Sequence, residues 1–302
     1  QLNMGQAFLT SQSDRNQLAQ LNLQAGRKAK FSTAYGAAVE YLTVAQQLLP
    51  PSSWEDDYST TLDIFVETLD VLYLNTQFEQ VTILSNTILA KTNTLLDAIK
   101  VYEVQIRTAV GQGDQHQALK IGLQVLEQME IPMLTQQPES VADVASLIDA
   151  PAMTDLHTLA AMKIMANIVT PAWSVNPIEF CNITFTMVDL SLKHGNCAAS
   201  AFGYAWYGTL LCEALGNIDE GYEFGRLSVA LLDRFDTREL RSKILNLYAS
   251  CTRFWKEPLR ASFAVHREGL QSGLDTGDLE FASYCAAEYC QYLWLAGVPL
   301  DQ

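Results

Sequence analysis

The sequence predicts an all-α fold, an α-solenoid of about fourteen helices built as divergent helix pairs. Three observations predict it. One phrase recurs with variation: an apolar helix, a polar turn, then a large residue followed by an acid or amide and a small residue. The copies span 23–50, 72–89, 109–126, 214–232 and 275–290, and repetition of a helix–turn–helix unit is the mark of a solenoid. Apolar residues also recur at helical spacing in nearly every long segment, as in Leu62, Phe65, Val66, Leu69, Leu72 and Tyr73, with almost no strand-like alternation. Finally, the prolines (Pro50, Pro51, Pro132, Pro138, Pro151, Pro171, Pro177, Pro258, Pro299) and a set of glycines (Gly111, Gly113, Gly195, Gly216, Gly277) fall where helices are expected to stop and start.

These breaks place helices at 14–29, 32–49, 53–75, 77–91, 94–111, 114–130, 140–149, 155–170, 175–194, 197–215, 218–235, 237–256, 259–276 and 278–296. Ser32, Ser53, Asp114, Thr154 and Asp278 are the expected N-caps, because their side chains can accept the free N–H groups of a first helical turn. The stretch 131–155 is richer in proline and polar residues. It is read as a hinge or inserted segment between an N-terminal half (1–130) and a C-terminal half (156–302) of one continuous superhelix.

Within the first copy the spacing matches the tetratricopeptide pattern, in which small residues sit where two helices cross closely. With Ala19 as its first position, Gly26 and Ala38 form the close crossing. Tyr35 opens the second helix, Ala45 packs between helices, and Pro50 ends it. Val81 replaces the small residue in the second copy, and Ala118, Gly221 and Ala282 restore it in the others. A generic helical bundle, in which small residues only permit close packing, is the alternative.

Composition bounds the function classes. Apolar residues make up 49% of the 302, enough for a substantial core, and the net charge is −15 from 34 acids and 19 bases. A basic face for nucleic acid or an anionic membrane is therefore not expected, and the excess of carboxylates keeps the scaffold soluble. Cys181, Cys197, Cys212, Cys251, Cys285 and Cys290 form no CxxC pair and lie mostly in apolar helical stretches. They read as reduced thiols of a cytoplasmic protein, with disulfides the minor alternative. The start QLNMGQAFLT has no signal-peptide character, and the most apolar stretch, 159–173, is broken by Lys163, Asn167 and Pro171. With no initiator Met, the chain reads as a piece of a longer protein.

Several longer phrases carry a more specific likeness. They are LNLQAGRKAKFSTAYGAAVEYLTVAQQLLP, the W-x-x-D-Y of Trp54 to Tyr58, LLDAIKVYEVQIRTAVGQGDQHQALKIGLQVL, LSLKHGNCAASAFGYAWYG, LGNIDEGYEFGRLSVALL and FWKEPLRASFAVHREGLQSGLDTGDLEFASYCAAEYC. Together they resemble the tetratricopeptide-like helical region of large multidomain signalling kinases of the cyanobacterial type. In that family a Ser/Thr-kinase-like domain and a P-loop ATPase precede the helical region, and GAF and histidine-kinase domains follow it. The resemblance implies a regulatory or interaction segment and brings no catalytic residue with it. The chain itself has no Walker A loop, no HRD or DFG motif and no histidine-kinase phosphoacceptor box.

No catalytic, cofactor or metal site is expected. His116, His157, His194 and His266 form no HxH or HExxH pair. The one close His/Cys pair, His194 and Cys197, flanks Gly195 and reads as the end of one helix and the start of the next rather than as a nucleophile and its base. Asp56–Asp57 and Asp219–Glu220 lie at expected helix N-termini, where negative charge complements the dipole. Gly111-Gln112-Gly113 follows no strand and reads as a turn.

The expected partner is a protein or peptide, including other domains of the same chain, held in a groove lined by the first helix of each pair. The groove candidates are Gln20, Leu23, Arg27, Lys30 and Phe31 from the first copy, and Asp63, Val66, Asp70 and Tyr73 from the second. Lys100, Glu103 and Arg107 follow from the third, Trp206 and Glu213 from the fourth, and Arg267, Gln271 and Asp275 from the fifth. Against so acidic a chain this set is relatively basic, which suits an extended segment carrying carboxylates. A solvated helix face accounts for the same residues. An effector-sensing or autoinhibitory arm is the second function class, with a small-molecule pocket around Phe202, Tyr204, Trp206 and Tyr207. Interhelical core accounts for those aromatics too.

Overall fold

The computed structural model describes residues 3–5, 9–138, 143–235 and 238–299. The described residues contain fourteen α-helices and no strand, apart from one isolated bridge between Ala152 and Asn196. The fold is an all-α helical repeat. The chain divides into two compact units, Gln1–Val125 and Leu126–Gln302.

The first unit holds α1 (Gln12–Phe31), α2 (Tyr35–Leu48), α3 (Ser53–Asp56), α4 (Tyr58–Leu74), α5 (Phe78–Leu89), α6 (Leu95–Gly111) and most of α7 (Gln115–Gln128). The crossing of α1 and α2 follows the small-residue pattern. A Cβ on Gly26 would lie 2.6 Å from Leu42 Cγ, and Ala38 and Ala45 are fully buried. In the second pair the larger Val81 occupies the crossing position and is buried as well.

The single helix expected at 53–75 is two. Asp57 leaves helical geometry at φ −145°, ψ 69°, ends α3, and caps α4 by accepting from the Thr60 N–H at 3.3 Å. Caps shift elsewhere by a residue or two. Asp114 and Asp278 accept first-turn N–H groups as expected, but Ser32 closes α1 instead of opening α2, and Asp155 rather than Thr154 caps the helix at 156.

The second unit begins with the end of α7 and an irregular stretch. Residues 140–142 of the helix expected at 140–149 lie outside the described residues, and Ala145–Asp149 is a 3-10 turn. This stretch is strapped to the turn at 195–196. The Met153 N–H donates to Asn196 O, the Asn196 N–H donates to Pro151 O, each at 2.8 Å, and Asn196 Nδ2 donates to Leu147 O at 2.7 Å. Gly195 sits at φ +90° with Pro151 O where a Cβ would be, so only glycine fits.

The helices that follow are α8 (Leu156–Val175), α9 (Pro177–His194), α10 (Ala198–Glu213), α11 (Ile218–Ala230), α12 (Arg238–Leu247), α13 (Phe263–Thr276) and α14 (Leu279–Leu295). Pro171 does not stop its helix as expected. It lies buried inside α8, which runs four residues further, because apolar packing outweighs the lost backbone bond. The helix expected at 237–256 ends at Leu247 and widens into a π turn (Tyr248–Thr252) followed by a 3-10 turn (Arg253–Trp255).

The repeated unit shows most plainly in its turns. The five pairs α1–α2, α4–α5, α6–α7, α10–α11 and α13–α14 each turn on one left-handed residue: Thr33, Thr76, Gly113, Gly216 and Gly277, with φ between 57° and 80°. In the first three the next N–H reaches back to a carbonyl of the last helical turn at 2.9 Å (Ala34 to Ala29, Gln77 to Leu72, Asp114 to Ala109), the Schellman closure of a helix. These pairs coincide with the five copies of the phrase.

Candidate functional site

The first helices of three consecutive pairs in the first unit carry charges 36–40 residues apart, and the fold sets them side by side. Arg27 of α1 bonds Asp63 and Glu67 of α4, at 2.5 and 3.1 Å. Lys30 bonds Glu67 at 2.6 Å and Asp70 at 3.0 Å, and Arg107 of α6 reaches back to Asp70 at 2.6 Å. Lys100 pairs with Glu103 on its own helix at 3.4 Å, and the Arg107 guanidinium stacks 4.8 Å from the centre of the Tyr73 ring. Eight of the groove candidates (Arg27, Lys30, Asp63, Asp70, Tyr73, Lys100, Glu103 and Arg107) therefore belong to one network across α1, α4 and α6.

Asp70 is its centre and is 8% exposed. Burial alone would raise its pKa, but Arg107, Lys100 and Lys30 outweigh it and hold the carboxyl at about 2. Burial likewise works against the charge on Arg107 and Lys30, and the facing carboxylates hold both protonated more firmly than usual.

This corrects the expectation of a basic groove. Arg27, Lys30 and Arg107 are engaged by α4 and join one pair to the next, so they do not stand free for an acidic partner. The sequence holds the signal for this pairing. Residues 31–90 contain eight carboxylates (Glu40, Glu55, Asp56, Asp57, Asp63, Glu67, Asp70 and Glu79) and no Lys or Arg, so any cation for them must come from α1 or α6. Phe31, next to Lys30, is 85% exposed.

The fourth and fifth copies differ. Trp206 does not line a groove; it is 3% exposed, with its ring 5.0 Å from Phe180 and 5.9 Å from Trp173. All of 199–212 is buried because α10 has packed neighbours on every side. The uncharged run AASAFGYAWYGTLLC foretells this, since a helix apolar all round belongs inside a fold. Phe202, Tyr204 and Tyr207 are buried with it, and Tyr204 donates to Asn196 Oδ1 at 2.9 Å. The space expected for a small effector is filled by these rings. Arg267 and Gln271 are exposed on α13. His194 ends α9 and Cys197 precedes α10, as the sequence indicates, and the thiol lies 3.5 Å from Ser200 Oγ. Among the described residues, no three His, Cys, Asp or Glu side chains are placed to hold a metal ion, and no helix is long and apolar enough to cross a membrane.

Toward the N-termini of α1 and α4 the seam between them opens into a cleft of about 430 Å³. Amides of α1 line one side and the α2–α4 connection the other. Gln20, one of the groove candidates, faces this cleft.

No protein-family model matches the chain. The chain is 19% identical over 351 aligned residues to a protein of Dictyostelium discoideum described as hybrid signal transduction histidine kinase G. That match covers all of this chain and 10% of the relative, so the chain spans about a tenth of that protein's length. The likeness points to a signalling context.

Proposed function

We infer that the chain is a non-catalytic protein–protein interaction and regulatory segment of a cytoplasmic signalling kinase, its helix pairs of tetratricopeptide type. The network on α1, α4 and α6 carries this reading. Ion pairs between successive repeats fix the first helices of three pairs as one preformed face, and a preformed face lowers the ordering cost of holding a partner. The likeness to a histidine kinase supports the signalling context. In this reading the chain is one segment of a larger polypeptide, and its partners are protein segments, among them other domains of that polypeptide.

The test is a pull-down of this chain against the remaining segments of its parent protein, with and without nucleotide. At least one segment should be retained, and retention should fall when exposed groove residues are changed, as in Phe31→Ala with Lys100→Glu. If no segment is retained under any condition, the reading fails.

A further inference from the structure

The cleft beside the ion-pair network has a chemistry of its own. Where Arg27 and Lys30 close the α1–α4 seam, carboxylates are matched by cations. One to two turns toward the N-termini they are not. The cleft is lined by the amides of Asn16, Gln17 and Gln20, the hydroxyl of Ser53 and the carboxylates of Asp56 and Asp57, over a partly apolar floor that includes Leu49 and Pro50, and no Lys or Arg reaches it. Asp56 accepts from Ser52 Oγ at 2.5 Å and Asp57 from the Thr60 N–H, yet neither makes an ion pair among the described residues. Arg15, the cation nearest on α1, donates instead to Gln47 O at 3.2 Å. Ser53 is 5% exposed and lines the cleft. An N–H group entering the cleft has the Ser53 hydroxyl as an acceptor.

We propose that this cleft binds a lysine or arginine side chain presented by an extended, basic peptide segment of the partner. The cationic head sits against Asp56 and Asp57, and Ser53 accepts one of its N–H bonds. Its methylene stem lies on Leu49 and Pro50, while the glutamine and asparagine amides bond the peptide backbone. A volume of about 430 Å³ suits one long side chain with its flanking backbone. Acidic peptides and phosphate groups are repelled by the two carboxylates. The proposal rests on the reading of the chain as an interaction scaffold and adds the charge class of what it holds.

The probe is a short fluorescein-labelled alanine peptide carrying one arginine and one lysine, titrated against the whole chain by anisotropy. A matched peptide carrying two glutamates serves as control. The basic peptide should bind and the acidic one should not. Asp56→Asn with Asp57→Asn should weaken binding about tenfold, the loss of two partly exposed ion pairs. Asparagine still caps a helix, so α4 keeps its start, and the melting temperature checks this. Asp56→Asn alone, which touches no cap, should weaken binding by a smaller factor. Failure of the basic peptide to bind, equal binding of the acidic peptide, or unchanged affinity in the folded double variant overturns the proposal. Parent segments retained equally by wild type and double variant would also overturn it, while leaving the scaffold reading intact. Basic-peptide binding with no parent segment retained would do the reverse.

Discussion

Asp70 and Glu288 are carboxylates of one chain, pushed in opposite directions by what surrounds them. Glu288 on α14 accepts from Asn246 Nδ2 of α12 at 2.6 Å and from Ser250 of the π turn. Burial outweighs those neutral donors and raises its pKa. Asp70 is more deeply placed, but it faces cations, which hold it at about 2 against an ordinary 3.8. A depressed carboxylate adds stability that is complete above its ordinary pKa and is lost as pH falls through the depressed value. The shift corresponds to about 2 kcal/mol at neutral pH. Asp70→Asn should therefore cost about that much in urea unfolding at pH 7, because it leaves Arg107 and Lys30 facing a neutral amide. The gap to wild type should close between about pH 4 and pH 2. A gap that persists unchanged at pH 2 would show that Asp70 acts through shape and not through charge.

At the scale of helices, the pairs were legible wherever the sequence carried a local signal. All five left-handed turns fall inside the recurring phrase, since helix closure is a short-range property of a few residues. The split at Asp57, the buried Pro171 and the π turn were not legible, because packing partners distant in sequence decide them. The π turn brings Thr252 against α11 where Gly225 leaves room, a contact no local pattern records. The ion-pair network lay between these cases. Its register followed from the repeat spacing, but its pairing did not, since carboxylates and cations 36–40 residues apart read as solvated faces until the helices stand side by side. The cleft was not legible beyond Gln20, because it exists only where α1 and the α3–α4 connection diverge.

Close crossing makes a sharper prediction at this scale. A Cβ on Gly208 would lie 2.7 Å from the backbone oxygen of Gly221, so α10 and α11 must separate to admit it. Gly208→Ala should then destabilise by about 1–3 kcal/mol through overpacking. Gly36, on the first turn of α2, has open space around the same position, and Gly36→Ala should stabilise by up to about 1 kcal/mol. Thermal or urea unfolding of the two variants checks both signs. If both alanines act alike, the crossing is not set by contact between the backbones.

For the whole molecule, charge is divided unequally between the two units. Residues 1–125 hold eight bases and twelve acids, a net of −4, whereas 126–302 hold eleven bases and twenty-two acids, a net of −11. In the first unit the decisive electrostatic term is attraction, concentrated where Arg27, Lys30 and Arg107 meet Asp63, Glu67 and Asp70. In the second the excess of carboxylates opposes compaction by self-repulsion. Salt weakens both terms, since the screening length falls from about 10 Å at 0.1 M to about 3 Å at 1 M. The two units should therefore answer salt with opposite signs. Amide hydrogen exchange on the whole chain resolves them: between 0.1 M and 1 M sodium chloride, protection should fall in α1, α4 and α6 and rise in α12 to α14. Asp70→Asn should blunt the response of the first group and leave the second unchanged. Protection moving the same way in both groups would mean that general salt effects on burial exceed these charge terms, and that the ion pairs contribute little to holding α1, α4 and α6 together.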